Sequence, residues 1–433
     1  MTQHNSIRGR RWALLAIPVI GAVTLAGCSG SGGGGGDAST SAAAQSFTFS
    51  FPQANDAEDF YQTIAQQYMD ETGVEIELLP VPGDQAASMM NTQLQAGNAS
   101  DLLIVTPGAG QTNGVVRLAE AGLLAPLGEA SAAVIPPTTE GLYTFDGEVY
   151  GQPTSLSANG LIWNPDVAAS AGIDDYPESF DDLIAACGEA RSAGLDFTVL
   201  AGTIPPNLGF IAQVISATRV YAADPDWNEQ RAAGDVTFAD SGWKQVLEDF
   251  VEMNDSGCFQ EGAAGGNFDS ITGGLIGGTA LSASIPGSAA TALSGASQGK
   301  YTLDVRPFPP AGSEDPWLIA SPLFAWASNG KSDESVQLAV QEFLDWVAQP
   351  ENSVEFANLS GSIPVAGAED AELLPQYAPV GDLVSAGSYS PEPNLSWPNA
   401  SVYDALSVGM QGLLTGQTNI DGILESMDAA WDE

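Results

Sequence analysis

The sequence predicts an α/β protein built on parallel sheets and divided into two domains. Three observations carry this expectation. Strand and helix patterns alternate from Phe47 to Val105, a second run of the same kind begins at Leu161, and about 390 residues run from Phe47 to the C-terminus, enough for two cores at roughly 100 to 200 residues each.

Phe47, Phe49 and Phe51 alternate with Thr48 and Ser50, the period of a strand with one apolar face, and Pro52 is expected to end it. This strand is expected to open the first sheet at its edge. Phe60, Ile64 and Tyr68 recur at helical spacing up to Thr72-Gly73, where glycine can adopt the left-handed C-cap. Val74, Ile76 and Leu78 form a second strand closed by Pro80, and a helix over 85–95 stops at Gly97. Leu102-Leu103-Ile104-Val105 is the unbroken apolar run of a strand covered on both faces. Such repetition implies parallel pairing through right-handed crossovers. The stretch from Gly108 through Gly110 to Gly114 lacks the spacing of a dinucleotide fingerprint and reads as a ligand-facing loop.

Further on, Asp146-Gly147 predicts a type I′ hairpin, stopped by Gly151-Gln152-Pro153. Leu161-Ile162-Trp163 is a short strand, and Ser179 with Asp182 three residues later is a capping box at a helix start. Amphipathic helices follow over 243–253 and 335–347, the latter with Val336, Ala339, Val340, Phe343 and Leu344 along one side.

The N-terminus has the form of an export signal. Arg8, Arg10 and Arg11 precede an apolar segment over 12–25, too short for a bilayer-spanning helix, which needs roughly 20 residues. Leu25-Ala26-Gly27-Cys28 then places small residues before a cysteine, the pattern that a lipoprotein signal peptidase cuts. Residues 1–27 are therefore expected to be a lipoprotein signal peptide, with Cys28 the lipidation site that anchors the protein on the outer face of the cytoplasmic membrane. A plain secretory signal is the simpler alternative, and Arg10-Arg11 leaves a twin-arginine export route open. Residues 28–46, rich in Gly, Ser and Ala, read as a flexible tether spanning roughly 23 Å.

With 54 Asp and Glu against 11 Lys and Arg, the net charge is −43, which disfavours nucleic acid and anionic headgroups as partners. The charge either solubilises the surface or in part attracts a cationic ligand. His4, the one histidine, lies in the leader, so Ser-His-Asp and Cys-His hydrolysis and helical histidine zinc sites are excluded. No catalytic residue, metal site or cofactor is assigned. Gly295-Ala296-Ser297-Gln298-Gly299 matches a nucleophile elbow in letters only, since no histidine follows it. Cys187 and Cys258 are expected to pair in an oxidising compartment, at roughly 4 kcal/mol on the chain-entropy account, with two buried free thiols as the alternative.

Phe145-Asp-Gly-Glu-Val-Tyr-Gly-Gln-Pro153, Leu161-Ile-Trp-Asn164, Tyr176-Pro-Glu-Ser-Phe-Asp-Asp-Leu183, Gly277-Gly-Thr-Ala-Leu281, Phe343-Leu-Asp-Trp346 and Ser362-Ile-Pro364 together resemble the carbohydrate-binding receptors of bacterial ABC importers, the extracellular solute-binding proteins that include maltose-binding protein. The resemblance implies a two-lobed periplasmic-binding-protein fold, type II-like, each lobe a mixed, mainly parallel sheet flanked by helices, with a ligand cleft between them that closes by hinge motion. It implies lobe 1 as 47–154 plus 318–365 and lobe 2 as 155–317 plus 366–433, with hinge strands near 153–157 and 317–321.

The implied function is capture of a sugar or oligosaccharide outside the cell and its delivery to the transmembrane subunits of an ABC permease, by a monomer that performs no chemistry itself. Sugar sites need aromatic faces and polar side chains that replace water. Trp317 and Trp397 are the stacking candidates, with a core role as the alternative for each, whereas Trp163 reads as structural. Polar candidates come from strand ends and crossings: Gln53, Asn55 and Asp56 after Phe51, then Thr106, Ser157, Asn159, Asn207 and Ser284. Phe51 itself joins the ligand set, and Asp56 doubles as a possible helix cap. Ser284-Ile285-Pro286 carries no aromatic where the family often stacks a tryptophan. The rival readings are a receptor for a polyamine, peptide or other non-sugar solute on the same fold, and a secreted carbohydrate-active enzyme using two carboxylates.

Overall fold

The computed structural model describes residues 43–53, 59–83, 85–312, 314–368 and 371–433. The leader, Cys28, Asn55 and Asp56 lie outside them.

β1 (Ser46–Gln53) buries Phe47, Phe49 and Phe51 on one side, as its alternation requires. Ala43 and Ala44, assigned to the tether, already pack against the same core, and Ala44 N donates to Ser335 O at 2.8 Å. β2 (Glu75–Pro82) pairs with β1 in parallel along its whole length and takes the edge of the sheet, so β1 lies inside it beside β3 (Leu102–Val105). The expected edge is thus displaced by one strand. The same fact explains why Pro80 does not close β2: the outer side of an edge strand has no ladder partner, so proline can sit there without losing a hydrogen bond. Helices Phe60–Thr72 and Ala86–Ala96 make the crossovers, each ended by a left-handed glycine, Gly73 at φ 76° and Gly97 at φ 72°.

After β4 (Leu124–Ala125), the hairpin of β5 (Thr144–Phe145) and β6 (Glu148–Val149) turns through Asp146 at φ 50° and Gly147 at φ 82°, the two positive values of a type I′ turn. Gln152 and Pro153 do not stop the chain but form a further two-residue strand, β7 (Gln152–Pro153). The remaining strands are β8 (Ser157–Asn159), β9 (Leu161–Trp163), β10 (Asp196–Val199), β11 (Ala280–Ala283), β12 (Asp304–Arg306), β13 (Leu318–Ser321), β14 (Ala325–Asn329) and β15 (Tyr389–Ser390).

These strands form two main sheets and a ribbon. The first sheet runs β2-β1-β3-β14-β4, with β7 also on β14; the second runs β10-β11-β9-β12. Both are mixed, and parallel pairing is confined to β2-β1-β3 and to β10-β11. The ribbon β15-β13-β8 lies where the chain passes from one sheet to the other: β8 leads from β7 into β9, and β13 leads back into β14.

Each main sheet has its own core. In the first, Trp326 of β14 touches the rings of Phe49, Tyr61, Phe343 and Phe356 with centroids 5.3 to 5.6 Å apart. In the second, the C-terminal helices Ala400–Thr415 and Ile420–Trp431 pack onto helices Pro205–Ser216 and Trp243–Asp255 through Leu406, Met410, Leu424 and Met427. Trp163 belongs to this core, against Tyr176 and Phe197. Cys187 and Cys258 form the expected disulfide and tie helix Phe180–Ser192 to the chain following Trp243–Asp255. Only half of the expected capping box forms. Ser179 Oγ accepts from Asp182 N at 3.2 Å, but the Asp182 carboxylate accepts from the Ser179 hydroxyl at 2.6 Å instead of reaching back to the backbone. Among the described residues, no helix is long and apolar enough to cross a membrane.

Candidate ligand-binding cleft

Parallel neighbours end on the same side of a sheet, and the loops after them collect there. Beyond the ends of β1 and β3 lies a cavity of about 350 Å³. Thr106 after β3, Gln111 and Asn113 from the glycine loop, Phe324 between β13 and β14, and Glu392 and Asn394 after β15 supply its walls.

The glycine loop is built for close approach. Ala109 N and Gly110 N both donate to Leu395 O, at 2.9 and 3.1 Å. A Cβ at Gly108, whose φ is 78°, would run into the Leu395 carbonyl, and one at Gly110 into that of Asn394. Arg117 fixes the contact from behind, donating to Ala109 O at 2.5 Å and to Pro398 O. Segment 392–398 is thereby pinned against the end of the first sheet, with the side chains of Gln111 and Asn113 left to line the cavity.

On the other side the segment is tied to the ribbon and the second sheet. Asn159 Nδ2 donates to Glu392 Oε1 at 2.8 Å, and Asn159 Oδ1 accepts from Ser157 Oγ at 2.8 Å and from Gly287 N at 3.1 Å. Glu392 N donates to Ser321 Oγ, and Asn394 N to Gln213 Oε1. Burial pushes the Glu392 carboxyl up to about 7, against which the Asn159 hydrogen bond is the only lowering influence. Tyr403 is raised too, first by burial and then by the Glu392 charge. Asn394 Oδ1 is buried and finds no hydrogen-bond partner among the described residues.

The residues singled out from sequence fall into three groups. Thr106 lines the cavity, its hydroxyl 3.3 Å from Asn113 Oδ1, and Asn159 holds Glu392 in place. Ser157, Asn207 and Ser284 are buried and do not line it: Ser157 supports Asn159, and Asn207 bridges Ala201 N and Ser284 O, while the Ser284 hydroxyl has no partner among the described residues. Gln53 is exposed at the end of β1.

The aromatic candidates point elsewhere. Phe51 faces the first core, within 5.9 Å of the Tyr61 ring, because strand alternation that buries Phe47 and Phe49 must bury it also. Trp397 is fully buried among Phe238, Trp243 and Tyr403, so it is packing and not a stacking platform. Trp317 is half-buried against the second core with its Nε1 on Ser390 Oγ at 3.0 Å, and it does not line the cavity. Sequence reasoning did not select Gln111, Asn113, Phe324, Glu392 or Asn394. The signal for the last two was Pro393 between them, a residue suited to the first position of a short helical turn, and Pro393–Leu395 forms a single 3-10 turn with Glu392 just before it.

No Lys, Arg or His is among the cavity's described lining, and 54–58 and 84, which adjoin its rim in sequence, contain none. The basic residues are engaged elsewhere. Arg219 pairs with Asp249 at 2.6 Å, Arg231 with Asp428 and Asp432, Lys244 with Asp421, and Arg306 with Asp304. Arg191 holds Gly257 O, Lys300 lies over Tyr301, and Lys331 follows the end of β14 remote from Thr106. Neutral polar groups, one aromatic ring and one carboxyl are what the cavity offers a solute. Among the described residues no cluster of His, Cys, Asp and Glu is arranged to hold a metal ion.

Comparison with known proteins places this geometry in context. Residues 53–354 match the family described as bacterial extracellular solute-binding protein. A binding protein of Brucella abortus strain 2308 is 22% identical over 386 residues, covering 83% of this chain and 85% of that one. Among solved structures, a chitin oligosaccharide binding protein superposes with a TM-score of 0.73 at 19% identity, over 89% of this chain and 98% of that one. RafE in complex with raffinose gives 0.73 at 16% identity, over 89% and 98%. A family 1 extracellular solute-binding protein from Bifidobacterium longum subsp. infantis gives 0.70 at 18%, over 90% and 99%. The shared fold is two α/β lobes with a cleft between them.

The Glu392 carboxyl generates a prediction about stability. Its ordinary value is 4.5 and its folded value about 7, so the stability from its protonated form is fully present below about pH 4.5 and lost as pH rises through about 7. Glu392→Gln keeps the shape and the neutral state. The variant should melt with the wild type at pH 4 and above it at pH 8; a difference in Tm that does not change with pH would mean that the carboxylate is well solvated in the fold.

Proposed function

The chain belongs to the bacterial extracellular solute-binding protein family, and we propose that it captures a sugar or oligosaccharide outside the cell and hands it to the transmembrane subunits of an ABC permease. The observation that carries this reading is the cavity itself. Thr106, Gln111, Asn113 and Asn394 offer the donors and acceptors that replace water around hydroxyls, Phe324 offers an apolar face, and no described basic group is present to hold an anion. The named sugar ligands of the structural relatives favour the same class.

In this reading lobe 1 comprises 47–154 plus 318–365 and lobe 2 comprises 155–317 plus 366–433. The sheets support the division, since β1 to β4, β7 and β14 fall in the first set and β9 to β12 in the second. The ribbon β15-β13-β8 is then the hinge. A solute touching both lobes binds the closed state better than the open one and shifts the population by that difference alone. The protein works as a monomer, held on the outer face of the membrane by lipid on Cys28, and supplies no catalysis; an ATPase elsewhere drives transport.

Two measurements test the reading. A ligand that binds only the folded state raises its stability by about 2.7 kcal/mol at one hundred times Kd, so at least one member of a saccharide panel should give a saturable rise in Tm. A panel that leaves Tm unchanged, while amino acids or short peptides raise it, would overturn the sugar assignment. For the anchor, the protein expressed with its leader should partition into detergent and incorporate labelled fatty acid, and Cys28→Ser should do neither; equal behaviour of the two would remove the lipid from the account.

A further inference from the structure

Glu392 stands out against the rest of the cleft. It is the sole charged residue among the cavity's described lining, and one amide, Asn159 Nδ2, is its only described side-chain donor. Beside it, Asn394 Oδ1 is a buried acceptor without a partner among the described residues. The neighbouring Tyr403 hydroxyl is turned away to Pro206 O at 2.8 Å. No arginine, lysine or histidine lies in that lining to neutralise the carboxylate. The site is therefore short of donors and of positive charge at one place, where Glu392 and Asn394, two residues apart in the chain, both line the cavity.

A neutral hydroxyl brings one donor and leaves the charge uncompensated. An ammonium group brings three donors and a full positive charge, enough to serve Glu392 and Asn394 together. We propose that the solute presents a protonated amine to the Glu392–Asn394 corner, so that the ligand is an aminated saccharide and Glu392 is the residue that selects for the amine. For the saccharide skeleton this inference rests on the proposed function; for the amine it rests on the corner alone. The positive charge of such a solute is also complementary to the excess of acid on the protein, which raises the local concentration of cations and repels anions.

The test uses the mature chain and matched pairs of disaccharides, each pair sharing a skeleton and differing in an amine against its N-acetyl or hydroxyl counterpart, with spermidine as a cation lacking a sugar. Binding is measured by titration calorimetry at pH 7 in about 20 mM and about 500 mM salt. A charge-assisted hydrogen bond to a carboxylate corresponds to roughly 10- to 100-fold in affinity. The amine of a pair should bind tighter by that factor at low salt, lose much of the advantage at high salt, and lose the rest in Glu392→Gln, whose folding is checked by its Tm at pH 4. The salt comparison on the wild type stands whether or not the variant folds.

Equal, salt-independent affinity for both members of every pair overturns the amine and leaves the sugar receptor intact. Saturable binding of spermidine, abolished in the variant, with no response to any disaccharide, overturns the sugar and upholds the amine. Failure of every amine to saturate the wild type overturns the proposal.

Discussion

Asn159 is the side chain that ties together three stretches of chain behind the cavity. Its side-chain oxygen accepts hydrogen bonds from Ser157 in its own strand and from Gly287 N after the second sheet's β11, while its nitrogen donates to Glu392 in segment 392–398. Because it is buried, losing it would leave Gly287 N and the Glu392 carboxyl without their described side-chain partner, at a cost of about 1–3 kcal/mol apiece. The ribbon is held in register by the same strand, with Asn159 opposite Ile319 and Ser157 opposite Ser321. One amide thus couples the geometry of the crossing to the position of the only described carboxylate at the cleft.

The surrounding architecture serves that coupling. β1 and β3 run parallel and end together, which leaves a concave edge; the glycine loop after β3 is bare enough for the backbone at Asn394 and Leu395 to lie against it. Arg117 holds the contact from outside the cavity. Segment 392–398 therefore touches the glycine loop of the first sheet through Leu395, and helix Pro205–Ser216 and the second core through Asn394 and Trp397. Any rearrangement that moves one sheet against the other must move this segment or break its hydrogen bonds.

Much of the framework was legible in the sequence because it rests on periodicity and local backbone demands. The phenylalanine alternation, the glycine stops at Gly73 and Gly97 and the turn at Asp146-Gly147 each follow from interactions within a few residues. What misled was long-range. Pro80 and Pro153 read as terminators until the sheet order shows where each strand lies, and Phe51 looked like a strand-end ligand group although its own alternation places it inward. Trp397 reads as a ligand contact because an aromatic face is expected against a sugar. Its burial depends on Phe238 and Trp243, far away in sequence, and no local pattern announces that. Gln111, Asn113 and Asn394 lie in loops without period, so only the folded arrangement brings them to one cavity.

The central claim is that a solute held at this cavity draws two lobes together about the ribbon. Small-angle scattering of the mature chain, with and without a saturating ligand found by thermal shift, addresses it most directly. The account predicts a smaller radius of gyration when the ligand is bound, reversible on its removal. Saturable binding with no change in the radius would contradict it.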